Sequence, residues 1–289
     1  MPETGNNSEI KADIDLIDEI FDISQSESYH LSIQIAEKGL SFCIFNTVIS
    51  KYIVLRHYQF AGLNTLIDSC KKIFETDELL QASYKSCWCL EVSSRSTLVP
   101  ERFFDSSDAE EYLSFNHGVK KNEQVMHNFV SGAQLYNVFS VPLEIKILLE
   151  EYHPKLKWFH HASPFIEWMM LHPQPASPIT LHFYGGYMDI LLIKNKQLLL
   201  YNTFEVNTPA DSIYFLAGVL SLHKMSLSST SVSYAGELKE SPLYVEMIRK
   251  YVLRINECEP FSTITYSHYL IESMRKRFIN LFNLYGCAS

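Results

Sequence analysis

The sequence lacks the short motifs of several common enzyme classes. It has no GxSxG nucleophile turn, no HExxH zinc motif, no GxxxxGK[ST] phosphate loop and no paired-glycine dinucleotide fingerprint. Nucleophilic hydrolases, zinc peptidases of this type and P-loop nucleotide hydrolases therefore have no support. We identify no catalytic residue, and although the sequence does not exclude an enzyme, a non-catalytic protein is the better expectation.

Long apolar runs are also missing. The longest, Ile213 to Leu220, is far shorter than the roughly 20 residues that span a bilayer. The first residues are acidic and lack the basic region and following apolar region of a secretory signal. We therefore expect a cytoplasmic protein without a membrane span.

Metal-type spacing is absent, although the chain has six cysteines. Cys87 and Cys89 lie two residues apart, so on a strand they share a face and do not form a CxxC pair. A cytoplasmic location favours reduced thiols over disulfides. His153, His160 and His161 offer no better site, because two adjacent histidines on a strand point to opposite faces. We expect no metal ion.

Clustered positive charge is scarce. The net charge is −9, and residues 1–28 hold eight acidic side chains against one lysine, so −7 belongs to this acidic N-terminal segment. The only basic run is Arg275-Lys276-Arg277, which a solvated helix face explains. Because nucleic-acid binding needs clustered lysine and arginine, nucleic acid is not an expected partner.

The acidic N-terminal segment also carries apolar residues, namely Ile10, Ile14, Ile17 and Phe21. Their spacing predicts one face of a helix. Such a helix would dock on the body of the protein or on a partner, and a frayed terminus is the alternative. The sequence does not separate these outcomes.

What the chain does contain is one pattern written twice, beginning near Leu31 and again near Ile179. Apolar alternation predicts strands, and the 3.6-residue period predicts helices. In the second copy the runs 190–193 and 198–200 are apolar on both faces, which predicts strands buried on both sides. The segments of the first copy are 31–36, 40–46, 52–60, 63–74, 86–92, 142–152, 157–161 and 164–171. Those of the second are 179–184, 187–194, 197–206, 210–223, 229–235, 241–252, 261–267 and 268–284.

Each half therefore has the order βββαβαβα, which predicts an α/β protein with mixed sheets. A repeat of about half the chain length indicates duplicated domains and not a solenoid. A chain of 289 residues, 47% of them hydrophobic, is large enough for two cores. We predict a first domain at residues 29–177 and a second at residues 178–289.

The first half contains an insertion at about residues 93–140. Residues 106–115 predict a helix, and the runs on either side of Ser131-Gly132 predict a hairpin. Its edges could pair with another chain, or the hairpin could only cap its own domain, and both alternatives stay open. The alternating residues that would offer aromatic faces are Val125, His127, Phe129, Leu135, Asn137 and Phe139.

The duplicated order resembles the ribonuclease H-like fold of the actin, sugar kinase and heat-shock chaperone superfamily, over nearly all of the chain after residue 28. The stretches STLVPERFFD (Ser96 to Asp105) and VSYAGELKESPLY (Val232 to Tyr244) resemble an uncharacterised bacterial family, domain-of-unknown-function family 3822. That resemblance implies the actin-like ATPase fold and no established activity. The insertion is similar to the extra subdomain by which bacterial actin relatives of cell division and pilus assembly contact other subunits.

The superfamily places an aspartate in each first strand-turn, where it organises the metal of a bound nucleotide. Here the first turn, residues 34–39, has no aspartate, serine or threonine, and in the second His182 stands about where the acid would lie. We predict that the turn glycines have positive φ, and that Gly236 marks a vestigial adenosine loop. The residual cofactor-binding cleft would comprise Gly39, Gly185, Gly186 and Gly236.

Two functions follow from this comparison. The first is a non-catalytic protein-interaction or scaffold module that binds a protein partner or itself, with no cofactor. The alternative is a divergent nucleotide-binding protein or ATPase that uses ATP and magnesium in the interdomain cleft. A two-metal nuclease is not expected, because Glu91 on the fourth strand has no carboxylate partner on the first strand.

Overall fold

The fold was analysed in a computed structural model. It describes residues 11–60, 65–118, 120–172, 177–236, 241–258 and 264–288. The strands are β1 (Ile14–Ile17), β2 (Tyr29–Ala36), β3 (Gly39–Asn46), β4 (Lys51–Gln59), β5 (Ser86–Val92), β6 (Ser96–Pro100), β7 (Glu123–Val130), β8 (Leu135–Pro142), β9 (Lys157–His160), β10 (Ile179–Tyr184), β11 (Tyr187–Lys194), β12 (Gln197–Glu205), β13 (Ser231–Gly236), β14 (Arg254–Glu257) and β15 (Thr265–Tyr266). The helices are α1 (Leu66–Thr76), α2 (Glu78–Gln81), α3 (Ala109–His117), α4 (Leu143–Tyr152), α5 (Ala162–Leu171), α6 (Pro209–Leu222), α7 (Ser241–Arg249), α8 (Glu272–Arg277) and α9 (Ile279–Ala288).

Two sheets carry the repeat, and their strand orders correspond. The first runs β4-β3-β2-β5-β9, and the second runs β12-β11-β10-β13-β14. In each, the first three strands pair antiparallel, and the fourth and fifth strands add in parallel. The predicted duplication and mixed α/β class are confirmed. The domain boundaries at 29–177 and 178–289 stay predictions.

The fifth strand of the second half was predicted at residues 261–267, and this is wrong. The parallel partner of β13 is β14, residues 254–257, which follows α7 after a short turn. Residues 261–263 lie outside the described ranges, while Thr265 and Tyr266 pair with β4 of the first sheet. Both candidate segments are short, so the sequence pattern alone does not distinguish them. Packing decides between them, because Ile255 of β14 lies against the second core.

The N-terminal segment also differs from its prediction. Residues 14–17 form strand β1 and not a helix, and they pair antiparallel with β4. Ile14 and Leu16 pack toward the first sheet, and Ile17 is exposed. The spacing of the apolar residues is compatible with a helix and with a strand. The edge of β4 supplies the backbone hydrogen bonds that favour a strand. Asp18 fixes the end of β1 through an ion pair of 2.7 Å with Lys51.

Helices cover both faces of both sheets. One face of the first sheet packs against α1 and α4, and one face of the second packs against α6 and α7. The remaining faces are covered by exchange between the halves. Helix α5, which closes the first half, packs on Leu191 and Ala235 of the second sheet. Helix α9, which closes the second half, packs on Cys43 and Phe45 of the first sheet.

The insertion folds as a third sheet, ordered β6-β8-β7, with α3 on one face. The predicted helix and hairpin are present, and β6 is an additional strand that the sequence analysis missed. Val125, His127 and Phe129 lie on the α3 side. Leu135, Asn137 and Phe139 are buried against the main body, so this face of the hairpin caps its own domain. The hairpin turn holds this face against the main body, because Ser131 Oγ and Gly132 N–H both donate to Glu167 on α5.

Strand β12 was predicted to be buried on both faces, and this is wrong. It lies at an edge of the second sheet, and Leu199 is 44% exposed, whereas 190–192 on β11 are buried.

Five cysteines are buried and make no disulfide, namely Cys43, Cys70, Cys87, Cys89 and Cys258. Among the helices of the described ranges, none combines the length and apolar character needed to cross a membrane.

Candidate functional site

The first predicted turn is a tight hairpin between β2 and β3. Ala36 pairs with Gly39, and Glu37 and Lys38 are exposed at the tip. The positive φ predicted for Gly39 is wrong, because this residue is not among those with positive φ. Glycine is instead required by close approach, since a Cβ atom would lie 2.8 Å from the carbonyl oxygen of Tyr58.

The second predicted turn joins β10 and β11. Tyr184 pairs with Tyr187, and the intervening Gly185 and Gly186 have φ values of 49° and 89°. Positive φ at both central positions is typical of a hairpin turn in which glycine is preferred. The predicted conformation is therefore confirmed at these two glycines.

Gly236 ends β13 beside Phe183 of β10. Its φ is 103°, and a Cβ atom there would lie 2.3 Å from the carbonyl oxygen of Phe183 and 2.9 Å from Cδ2 of His182. The open side of this glycine is therefore filled by the neighbouring strand. The rest of the predicted adenosine loop, residues 237–240, lies outside the described residues.

The structure thus places Gly236 next to β10, the strand that precedes Gly185 and Gly186, and it places Gly39 at the corresponding turn of the first sheet. Beside Gly236 lies a cleft of about 480 Å³. Within it Lys276 is held by two acids, at 3.3 Å from Glu257 and 2.5 Å from Glu272. The residues that line the cleft are Gly236, Glu257, Glu272, Ser273, Met274, Lys276 and Arg277.

A polar cluster, absent from the sequence predictions, lies behind the second turn. Its centre is Asp189 on β11, which is fully buried. Register puts it directly between His182 on β10 and Thr203 on β12, so the three side chains share one face of the sheet. His161, which immediately precedes α5, reaches the same carboxylate from the first half.

Four side chains hydrogen-bond the Asp189 carboxylate. Oδ2 lies 3.0 Å from Nε2 of His161 and 3.2 Å from Nδ1 of His182. Oδ1 accepts from the hydroxyls of Thr203 at 2.7 Å and Tyr184 at 3.2 Å. We refer to these five residues as the Asp189 cluster. The cluster fills the space behind the second turn with side chains.

The cluster sets the charge state of its members. Burial alone raises the pKa of Asp189, but His161 and His182 together hold that pKa well below its usual value. Burial lowers the pKa of His182, although its hydrogen bond to Asp189 opposes this. Asp189 is therefore a buried anion, and His182 is neutral near pH 7.

The three histidines considered in the sequence have different surroundings. His153 bonds the carbonyl oxygen of Leu80 at 2.9 Å. His160 bonds the carbonyl oxygen of Ser93 and the side chain of Asn137. Only His161 joins the Asp189 cluster, and its ring lies 4.4 Å from that of His160.

The sequence contained one usable signal for this cluster. Asp189 is the only charged residue between Tyr187 and Ile193, in a run otherwise apolar on both faces. A buried acid in such a strand requires partners. Its partners come from β10, β12 and the start of α5, and only the fold brings these together.

A second buried acid, Glu91 on β5, is 7% exposed. Its Oε2 has no hydrogen-bond partner among the described residues. Burial and the negative charge of Glu123 raise its pKa to about 8. Glu91 is therefore protonated in the folded protein at neutral pH, which suits an isolated acid and not a metal-binding pair.

This raised pKa predicts a pH-dependent stability. The folded protein holds a proton that the unfolded chain releases above a pH of 4.5, so the contribution is complete below that pH. It is lost as the pH rises to about 8, at up to about 1.4 kcal/mol per pH unit. We expect Glu91→Gln to flatten this decline in urea unfolding measured at about pH 5 and about pH 8. Glu246→Gln, at an exposed site on α7, should leave the decline unchanged, and an unaltered slope in Glu91→Gln would contradict the prediction.

Comparison with known proteins gives a family and a fold. A family model described as "Protein of unknown function (DUF3822)" matches residues 18–255. A protein from Bacteroides thetaiotaomicron, with actin-like ATPase fold and unknown function, is 22% identical with a TM-score of 0.82, covering 93% of this chain and 99% of that chain. A chain of the PilM–PilN type IV pilus biogenesis complex is 11% identical with a TM-score of 0.55, covering 90% of this chain and 99% of that chain. No curated protein matches the sequence. The predicted family and the actin-like ATPase fold are confirmed.

Proposed function

The chain belongs to the family Protein of unknown function (DUF3822), and we propose that it is a non-catalytic protein-interaction or scaffold module on an actin-like fold. The observation that carries this proposal is the Asp189 cluster. His182, which stands about where the superfamily has a metal-organising acid, is bonded to Asp189 and Asn280 and is 5% exposed. A histidine at this position offers no carboxylate oxygen to a hydrated magnesium ion.

The two turns support the same proposal. The first turn offers neither a hydroxyl nor an aspartate, and its glycine contacts Tyr58 of its own sheet. The side of Gly236 that could approach a ligand contacts Phe183. The residues of these two turns are therefore poorly suited to hold magnesium-bound ATP.

The inserted sheet supports an interaction role. Strand β7 is at its edge and has no hydrogen-bonded neighbouring strand on the outer side among the described residues, although its Asn128 side chain bonds the backbone of β9. Phe129 on this strand is 44% exposed, and Phe103 and Phe115 of the same subdomain are 61% and 89% exposed. Exposed aromatic groups beside an unpaired edge are typical of surfaces that bind another chain. The likeness to a chain of the PilM–PilN complex is in keeping with this role.

An interaction test follows from Phe129. We expect the full chain to self-associate at high concentration, as measured by light scattering. We expect Phe129→Ser to weaken this association at least fivefold, because the residue lies on the unpaired edge. The control Leu243→Ser changes an exposed leucine on α7 and should leave association unchanged. A strictly monomeric chain from which affinity capture recovers no partner would count against the proposal.

The alternative function, nucleotide binding, is favoured by one observation, the cleft beside Gly236 with Lys276 and Arg277 in its wall. Calorimetry separates the two functions. Under the main proposal, ATP with magnesium gives no heat of binding and no shift in melting temperature. Heat that is lost in Lys276→Gln would instead support the alternative, since removing a cation weakens phosphate binding.

A further inference from the structure

Asp189 presents an unusual electrostatic problem. Its carboxylate is fully buried, and within the described parts of the chain its ion-pair partners are the two histidines alone, with no lysine or arginine. Buried carboxylates are normally paired with a cation or coordinate a metal. Hydroxyl and imidazole groups reduce the cost of burial, and a metal cation would compensate the carboxylate directly.

The geometry of the Asp189 cluster suits a small cation. Nε2 of His161, Nδ1 of His182 and a carboxylate oxygen of Asp189 all lie within 4.8 Å of one another. The two nitrogen–oxygen distances are 3.0 and 3.2 Å. Zinc with ligand bonds of about 2.0–2.1 Å in a tetrahedral site separates its ligand atoms by about 3.3 Å. The two nitrogen–oxygen separations would therefore need to open by only a few tenths of an ångström to admit the ion.

The surrounding groups orient these ligands. Thr203 and Tyr184 fix Oδ1 of Asp189, which leaves Oδ2 directed at the imidazoles. The side-chain amide of Asn280 lies 3.1 Å from Nε2 of His182, the nitrogen opposite the ligand atom. An amide has both a donor and an acceptor, so it can bond that nitrogen whether or not it carries hydrogen. Ligand-orienting partners of this kind are typical of metal sites in proteins.

We propose that His161, His182 and Asp189 bind one zinc ion in place of the two hydrogen bonds now made to Asp189, with each imidazole neutral and carrying its single hydrogen on the ring nitrogen that does not bind the metal. The hydroxyl of Tyr201, 3.4 Å from Nε2 of His161, is placed to complete the coordination. Two histidines and a carboxylate also bind iron in oxygenases, but those sites keep open positions. Here the three ligands are at most 5% exposed, so the ion is structural.

The ion would connect the two halves of the chain. His161 leads into α5 of the first half, whereas His182 and Asp189 belong to strands of the second sheet. Bound zinc would therefore fix the start of α5 against this sheet. This inference goes beyond the proposed scaffold function and does not depend on whether the cleft beside Gly236 binds a nucleotide.

The test uses the full chain, unfolded in chelator and refolded with or without one equivalent of zinc. We expect one zinc per chain by elemental mass spectrometry, and a rise in melting temperature of more than 5 °C on refolding with zinc. Cobalt in its place should give the intense visible absorption of a tetrahedral site. His182→Gln should lose at least tenfold in zinc affinity.

The matched control is His153→Gln, which removes a buried histidine that bonds Leu80 on another part of the fold. It should keep both the zinc and the rise in melting temperature. A wild-type chain that refolds without bound zinc, or that binds iron in its place, would overturn the proposal. Should His182→Gln not fold, the wild-type stoichiometry and the cobalt spectrum still decide it, since a chain without the site gives neither.

Discussion

Asp189→Ala is expected to lower the free energy of unfolding by about 3–5 kcal/mol. The change removes the acceptor for four side chains, namely His161, His182, Tyr184 and Thr203. The imidazoles of His161 and His182 are at most 5% exposed, so they would stay buried without this partner, which costs more than the net value of the hydrogen bonds themselves. Urea unfolding in the presence of a chelator isolates this hydrogen-bonding contribution from any effect of zinc.

Asp189→Asn is the conservative companion to this variant. An amide keeps one oxygen acceptor but presents an N–H₂ group where the carboxylate accepts hydrogen bonds, so we expect a loss between wild type and Asp189→Ala. Glu246→Ala, an exposed acid on α7, should change stability by less than about 0.5 kcal/mol. A loss below about 1 kcal/mol in Asp189→Ala would show that the buried carboxylate contributes little.

Phe282→Ala should destabilise the first half of the chain, although the residue belongs to the second. Phe282 on α9 is fully buried against the first sheet, with its ring centre 4.9 Å from that of Tyr52 on β4. The Tyr52 hydroxyl also donates to the carbonyl oxygen of Phe282. Truncating a buried phenylalanine costs about 3–5 kcal/mol.

Hydrogen exchange followed residue by residue tells where this loss occurs. We expect amides of β3 and β4 to lose protection in Phe282→Ala before those of β10 and β11. Leu222→Ala, at an 80% exposed position on α6, should leave both groups protected. Loss of protection confined to the second sheet would contradict the exchange of helices between the halves.

The architecture was accessible from the sequence because it depends on local periodicity. Apolar alternation and glycine turns placed β2 to β5 and β10 to β13, and repetition of the pattern gave the duplicated order. Hairpin strands such as β7 and β8 were found for the same reason, since Ser131-Gly132 separates two alternating runs. The periodicity of apolar residues within one segment indicates which of its residues face a core, and no information from distant segments is needed.

The errors occurred where pairing across distant segments decides the outcome. Ile14 and Ile17 fit a helical period, but the open edge of β4 makes the segment a strand. Thr265 and Tyr266 lie on the opposite part of the same edge, more than 200 residues away in sequence. Neither partner is visible from local pattern.

The candidate site shows the same limit. His182 could be singled out by its position in the second turn, whereas Asp189 became meaningful only once register placed it between His182 and Thr203. His161 was considered with the wrong neighbours, because His153 and His160 adjoin it in sequence and bond elsewhere. The sequence therefore indicated one residue of the cluster, and the fold supplied the others.

The exchange of closing helices between the halves bears on how the chain is made. The five main strands of the first sheet are complete once β9 has left the ribosome, yet the face that carries Cys43 and Phe45 packs against Leu281 and Phe282 of α9. Roughly 120 further residues must be translated before α9 begins, which at about 5–20 residues per second takes about 6–24 s. During that interval an apolar surface faces solvent on the nascent chain. Chaperone binding during translation should therefore concentrate on the first half and end when the residues of α9 emerge.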